Sequence, residues 1–169
     1  MALIVVDVEA YGLSPMNGVM TEFGAVEFET RRSFHGVIWE SSPDPANPAK
    51  PLKPTKQVRP LGEVMREFTD WLDEVSKSRP IFVSDNPAYD FQWINAAFDV
   101  TTGVNPFGHS GRRIGDFYAG LVGDFYQTHQ WKSLRVTAHD HHPVNDAMGN
   151  AEALARLFAG ERPEPQPDA

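Results

Sequence analysis

The fold of this chain is set by residues 3–9, which read Leu-Ile-Val-Val-Asp-Val-Glu. The aliphatic and β-branched side chains of this run indicate a buried strand at the centre of a sheet. Because side chains alternate across a strand, Asp7 and Glu9 share one face, and Val6 and Val8 lie on the other. Two neighbouring acids on a buried strand repel each other, and a divalent cation relieves that repulsion. A solvent-exposed strand end is the alternative interpretation of an isolated Asp-x-Glu.

The rest of the chain predicts strands first and then helices interleaved with one or two further strands. Two more strands, at 19–29 and 33–40, complete an antiparallel three-strand meander, and a short strand follows at 81–83. The fold class predicted is therefore an α+β or mixed α/β domain, with helices packed against a single sheet. A single domain is expected over residues 1–160, with a disordered tail at 161–169. Helices are predicted at 61–76, 87–98, 114–126 and 146–158.

The composition excludes several classes of protein. The chain has 169 residues, a formal net charge of −8 and no cysteine. A cationic sleeve around nucleic acid is excluded, and so are thiol catalysis and zinc sites built on cysteine. Any bound metal must take oxygen or nitrogen ligands. The apolar run at the N-terminus lacks the basic lead and the length of a signal segment, so a cytoplasmic protein is expected.

Two further acids stand at the head of apolar helix faces. Asp90 shares a helical face with Trp93 and Ile94, and Asp146 shares one with Leu154. Each acid has a structural alternative, because an Asp in the first turn of a helix is favoured by the helix dipole or by N-capping. Two such acids on core faces, together with the pair on the first strand, point to one shared site.

A cluster of histidines precedes Asp146. Residues 139–142 read His-Asp-His-His and carry three of the six histidines in the chain. Such a cluster supplies acid-base or metal-binding capacity, and a polar surface loop is the alternative. Hard oxygen ligands of the kind gathered here suit Mg²⁺ or Mn²⁺, and paired ions of this type serve in phosphodiester hydrolysis.

Three motifs in this order resemble the DEDDh 3′-to-5′ exonucleases of the DnaQ-like, ribonuclease H-like superfamily. The first is Ile-Val-Val-Asp-Val-Glu-Ala-Tyr-Gly-Leu at 4–13, and the second is Asn-Pro-Ala-Tyr-Asp-Phe at 86–91. The third, His-His-Pro-Val-Asn-Asp-Ala at 141–147, fits His-x-x-x-x-Asp. The residues 21–26 also resemble the second strand of that family. Together the motifs span nearly the whole chain, and the resemblance implies an α/β fold with a ribonuclease H-like mixed sheet flanked by helices.

The resemblance implies which residues carry the reaction. Asp7, Glu9, Asp90 and Asp146 would bind two Mg²⁺ or Mn²⁺ ions, and His141 would be the general base. His142 is the fallback, because it lies one residue short of the family spacing. The implied reaction removes nucleoside 5′-monophosphates from the 3′ end of single-stranded nucleic acid. Many relatives are homodimers, which makes a homodimer an expectation here.

Residues that would hold the substrate are predicted on two segments and around the motifs. The proline-rich stretch 41–60 is predicted to be an irregular basic loop that tracks the phosphate backbone. Exposed aromatic residues such as Tyr11 or Phe107 are expected to stack on bases. The predicted substrate-binding residues are Tyr11, Gly12, Leu13, Asn86, Lys50, Lys53 and Lys56, with Arg59, Arg112 and Arg113 as further candidates for phosphate contacts. A solvated loop is the alternative for the basic stretch.

The nature of the substrate stays open at this point. Recognition of the 2′-hydroxyl depends on geometry that a sequence does not show. RNA is favoured here, and single-stranded DNA is the alternative. Two other functions also fit the chain. One is a nucleic-acid-binding module with a degenerate site, and the other is a phosphohydrolase of dinucleotides or small nucleotides.

Overall fold

The helices and strands follow one another in an order typical of a mixed α/β domain. The computed structural model describes residues 1–42 and 53–163. A 3₁₀ helix at Gln130–Leu134 connects the last two α-helices. In chain order the other elements are β1 (Leu3–Tyr11), β2 (Val19–Glu27), β3 (Ser33–Val37), β4 (Trp39–Ser42), β5 (Lys53–Gln57), α1 (Leu61–Val75), β6 (Ile81–Ser84), α2 (Pro87–Thr101), β7 (Gly111–Arg113), α3 (Ile114–Val122) and α4 (Pro143–Phe158).

Strand β1 is the centre of a five-stranded sheet with the order β3-β2-β1-β6-β7. It pairs antiparallel with β2 and parallel with β6, while β2 pairs antiparallel with β3 and β6 pairs parallel with β7. The register places Asp7 opposite Gly24 and Glu9 opposite Glu22 on β2. This mixed sheet, with its antiparallel meander and flanking helices, confirms the predicted fold class and is compatible with a ribonuclease H-like fold.

The two faces of the sheet carry separate hydrophobic layers. Val6 and Val8 belong to the layer that includes Phe68 of α1 and Trp93 of α2. Val5 belongs to the layer formed with α3, the 3₁₀ helix and α4. Since side chains alternate along β1, its acids lie on the same face as Val5. Helix α4 therefore covers the face of β1 that carries the carboxylates.

The stretch 41–60 is more regular than predicted. Strand β5 pairs antiparallel with β4, so the prediction of an irregular loop is wrong at Ser41, Ser42 and Lys53–Gln57. Pro54 stands opposite Ser41, beside an irregularity in the register between Glu40 and Ser41. A two-stranded ribbon consists of edge strands, where proline is tolerated because its missing N–H need not serve a second neighbour. Proline content therefore misled the prediction.

Some sequence predictions fall outside the described residues. They concern Lys50 and the part of the predicted tail beyond residue 163. Within the described ranges, no helix combines the length and the apolar character that a membrane crossing requires.

Candidate active site

Three carboxylates from two elements meet on the α4 side of the sheet. Asp7 and Glu9 of β1 and Asp146 of α4 place carboxylate oxygens within 4.8 Å of one another. A close approach of α4 to β2 makes this meeting possible. A Cβ built on Gly24 would lie 2.3 Å from the carbonyl carbon of Pro143, so only glycine permits the observed packing. The first turn of α4 is thereby held against the strand that pairs with β1.

Asp146 is buried and held from the loop that precedes α4. Its side chain is 1% exposed. Oδ1 accepts a hydrogen bond of 3.2 Å from the backbone N–H of Asp140. Oδ2 lies 2.6 Å from Nδ1 of His139, at ion-pair distance but without hydrogen-bond geometry. A buried carboxylate oxygen without a hydrogen-bond donor is a natural cation ligand.

Asp90 joins this group from the first turn of α2. It is 5% exposed. It lies outside the compact cluster of three, but its charge raises the pKa of Asp7. The helix begins at Pro87, and the carbonyl of Asn86 accepts hydrogen bonds of 2.9 Å from the N–H groups of Tyr89 and Asp90. The structure thus brings the four predicted acids into one electrostatically coupled group.

The carboxylates resist ionisation without a cation. Burial, followed by the charges of Asp90, Asp146 and Glu9, raises the pKa of Asp7 well above its ordinary value, and Arg135 partly opposes this. Burial and the charge of Asp146 raise the pKa of Glu9 to about 7. Burial also raises the pKa of Asp90 to about 7. Like charges crowded in a poorly solvated place stabilise the neutral forms unless positive charge compensates them.

The residues present fit a hard divalent cation. The donors are carboxylate oxygens, which Mg²⁺ and Mn²⁺ prefer. The buried Oδ2 of Asp146 lacks a hydrogen-bond donor, and the pKa of each of three neighbouring acids is raised. A bound cation would supply a partner for that oxygen and would favour the ionised forms of the acids.

The three histidines before α4 lie in different surroundings. Nδ1 of His141 lies 3.8 Å from Oε1 of Glu9, and the side chain is 74% exposed. The ring of His142 lies 4.8 Å from that of His35. His35 in turn pairs with Glu22 at 2.6 Å. The predicted base therefore faces the acids, while the fallback residue faces β3.

The sequence analysis missed the contact of His139 with Asp146. Its ring also lies 4.5 Å from that of His141, in an edge-on arrangement. His139, His141 and Asp146 form a second group of potential metal ligands. The His-x-x-x-x-Asp motif contains only one histidine, so it did not predict a role for His139. The presence of three histidines in four positions was the available signal.

The predicted substrate residues occupy several places. Gly12 has a φ of 108° in the turn after β1, and the neighbouring Leu13 is 87% exposed. Asn86 is the N-cap residue of α2, without a side-chain hydrogen bond to the helix. Lys53 and Lys56 lie on β5.

Phe107 contradicts the prediction of an exposed aromatic. It is 2% exposed and packs in the layer of α1 and α2, with its ring 5.3 Å from that of Phe82. Its position in a Gly-, Asn- and Pro-rich loop suggested exposure. Loops that cross a hydrophobic layer, however, contribute anchors to it. Tyr11, the other aromatic predicted to stack, is partly exposed at the end of β1.

Comparison with known proteins gives one relative to report. No family model matches the chain. The chain is 29% identical, over 163 residues, to the 3′-5′ DNA exonuclease Cap18 of Escherichia coli. The alignment covers 90% of this chain and 87% of the relative.

Proposed function

We propose that this protein is a metal-dependent 3′-to-5′ exonuclease that acts on single-stranded DNA. The observation that carries the proposal is the convergence of Asp7, Glu9 and Asp146, with Asp90 coupled to them. Buried acids with raised pKa values that gather beside a histidine are a common mark of catalytic sites. The 3′-5′ DNA exonuclease that resembles most of the chain supports the same reaction.

The four acids are the residues that would hold the ions. Asp146 offers its buried Oδ2, and Asp7 and Glu9 offer oxygens from the facing strand. Divalent ions bound here would lower the pKa of the attacking water and neutralise charge on the scissile phosphate. Asp90, almost fully buried at the start of α2, would complete the ligand set.

His141 is the residue proposed to take the proton of the attacking water. Its imidazole is exposed and lies next to Glu9, so an incoming strand can reach it. An imidazole exchanges protons readily near neutral pH. The water oxygen bonds to phosphorus, the bond from phosphorus to the 3′ oxygen breaks, and that oxygen takes up a proton. A nucleoside 5′-monophosphate leaves, and the shortened strand keeps a 3′-hydroxyl.

The choice of DNA rests on the relative, whereas the sequence analysis favoured RNA. That relative is a DNA exonuclease, and its alignment covers 90% of this chain. The choice of a single strand rests on physics, because a terminal nucleotide must leave its stack to enter a cluster of buried acids.

A panel of labelled oligonucleotides tests the proposal. Single-stranded DNA, single-stranded RNA and duplex DNA, each with a 5′ label, are incubated with Mg²⁺ or Mn²⁺ and, in parallel, with a chelator. We expect a ladder that shortens stepwise from the 3′ end of single-stranded DNA and disappears with the chelator. A ladder from RNA alone would overturn the choice of DNA. A gel-shift assay and a dinucleotide substrate, added to the panel, test the alternatives: binding without cleavage would identify a degenerate module, and cleavage of the dinucleotide alone would identify a small-nucleotide phosphohydrolase.

A further inference from the structure

A group of cations surrounds Asp85, at the end of β6. Nζ of Lys132 lies 2.6 Å from Oδ2 of Asp85, and Nη2 of Arg135 lies 3.8 Å from the same oxygen. Nε of Arg113 donates a hydrogen bond of 3.2 Å to the backbone carbonyl of Asp85. We call Arg113, Lys132 and Arg135 the Asp85 cation patch. The sequence analysis singled out only Arg113 among them.

Arg135 is held in place by groups other than Asp85. Its Nη2 donates a hydrogen bond of 2.6 Å to Oδ1 of Asn150. The guanidinium lies over the ring of Trp131, 5.2 Å from its centroid. Its Nε is buried without a hydrogen-bond partner among the described residues. The contacts with Asn150 and Trp131 fix the guanidinium, and a fixed guanidinium is prepared to bind an oxyanion through its accessible N–H groups.

The patch borders the acid cluster. Strands β1 and β6 are parallel neighbours, and Val5 pairs with Val83. Because the two strands run in the same direction, Asp7 and Asp85, each two residues beyond this pair, lie toward the same end of the sheet. Arg135 also contacts Asn150, which lies one turn after Asp146 on α4. The Asp85 cation patch therefore lies beside the acids at which the 3′ end of a strand would be cleaved.

The patch carries more positive charge than its own carboxylate compensates. Asp85 faces both Lys132 and Arg135, while Arg113 pairs with Asp116 at 3.1 Å. The side chain of Lys132 is 38% exposed and that of Arg113 is 32% exposed, so solvent reaches both. Lysine and arginine side chains bind phosphate through the same charge-assisted hydrogen bonds that they form with carboxylates.

We propose that the Asp85 cation patch binds a phosphate of the substrate strand, and that the Asp85 carboxylate occupies this place until the strand arrives. This proposal rests on the proposed function, because the patch would bind the substrate of that same reaction. Binding then exchanges the contact of Lys132 with Asp85 for one with the strand. Asp85 makes nonspecific capture of polyanions weaker, because its charge competes for the same donors.

Affinity measurements on an inactive variant test the binding of the strand separately from its cleavage. All proteins carry Asp7→Asn to prevent hydrolysis, and a 5′-fluorescent single-stranded DNA is titrated in Mg²⁺ while its anisotropy is followed. On this background we expect Asp85→Asn to tighten the dissociation constant by about 3- to 10-fold and Lys132→Ala to weaken it by a similar factor. Lys132→Ala should also reduce the slope of the logarithm of affinity against that of salt concentration by about one.

A matched ion pair elsewhere supplies the control. Arg32 and Glu74 also lie 2.6 Å apart, but both are well exposed, and Arg32 precedes β3, at the opposite edge of the sheet from β7. Arg32→Ala and Glu74→Gln change the same charges and are expected to leave affinity within twofold. Equal effects at both pairs would overturn the proposal, because they would reflect net charge alone. Unchanged affinity in Asp85→Asn and Lys132→Ala, with melting temperatures like the parent, would overturn it too. The proposed function is judged separately, by whether the wild-type protein shortens DNA.

Discussion

Nδ1 of His139 lies 2.6 Å from Oδ2 of Asp146, so a histidine outside the recognised motif contacts the most buried acid of the site. The contact and the N–H of Asp140 together fix the orientation of that carboxylate. Groups that orient a metal ligand raise its affinity for the ion. We therefore assign His139 to positioning Asp146.

His139→Ala should weaken Mn²⁺ binding by about 10- to 100-fold, the usual cost of losing a partner of a metal ligand. Isothermal titration calorimetry of the metal-free protein measures this directly. His142→Ala is the matched control, because its ring packs against His35 away from the acids. Equal Mn²⁺ affinity in wild type and His139→Ala would show that His139 has no such role.

The proposed base predicts a separate loss of turnover. His141→Ala should lower kcat on single-stranded DNA by about 10²- to 10⁴-fold, the range that one general base contributes. His142→Ala should change kcat by less than about tenfold, since the loop reaches the acids through His141. Single-turnover rates at saturating Mg²⁺ make the comparison. The reverse order of effects would transfer the role of base to His142.

The raised pKa values predict how pH affects the metal-free protein. Burial raises the pKa of Glu9 to about 7 in the folded state, from an ordinary value of 4.5. Between these values the folded protein holds a proton that the unfolded chain has lost, so the free energy of unfolding falls as pH rises from about 4.5 to about 7. Protonated Glu9 is thus compatible with burial, and ionised Glu9 is not.

Glu9→Gln should remove about 1–3 kcal/mol of this fall in the free energy of unfolding, because glutamine stays neutral at every pH. Urea unfolding at pH 5 and pH 7.5 in the presence of a chelator provides the measurement. The free energy of unfolding of the variant, relative to that of the wild type, should be higher at pH 7.5 than at pH 5. Mg²⁺ should reduce this difference, because it stabilises the wild type. Wild type and variant with parallel pH profiles would refute the assignment of the shift to Glu9.

Gly24 makes a prediction about the packing that forms the site. A Cβ there meets the backbone of Pro143 and Val144 at 2.3–2.4 Å, and neither backbone can move without moving α4. Gly24→Ala should destabilise the protein by about 1–3 kcal/mol and weaken Mn²⁺ binding through displacement of Asp146. Gly120→Ala is the control, because a Cβ on this helical glycine meets nothing within 4 Å and should stabilise slightly. If Gly24→Ala and Gly120→Ala change the free energy of unfolding equally, the contact with Pro143 does not constrain α4.

Residue patterns predicted the parts of the site that follow from periodicity. The alternation along β1 placed Asp7 and Glu9 on one face, and the helical spacing placed Asp90 and Asp146 at the heads of buried faces. The helix predicted at 114–126 ends earlier, at Val122, because Gly123 adopts a φ of 72°.

Other features depend on contacts between distant segments. Strand β7 spans only Gly111–Arg113, which is too short for a periodic signal. Arg135 approaches the acids only because the 3₁₀ helix packs on α4, and the pairing of Lys132 with Asp85 joins residues far apart in sequence. Local patterns do not encode such tertiary neighbours.

The rate at which a 5′-labelled single-stranded DNA loses nucleotides from its 3′ end in Mg²⁺ tests the central claim most directly. Wild type, Asp7→Asn, Asp146→Asn and the control Asp73→Asn, an exposed acid on α1, are compared at equal concentration. We expect stepwise shortening by wild type and Asp73→Asn, and none by the two site variants although both remain folded. Shortening by Asp7→Asn or Asp146→Asn at the wild-type rate would contradict it.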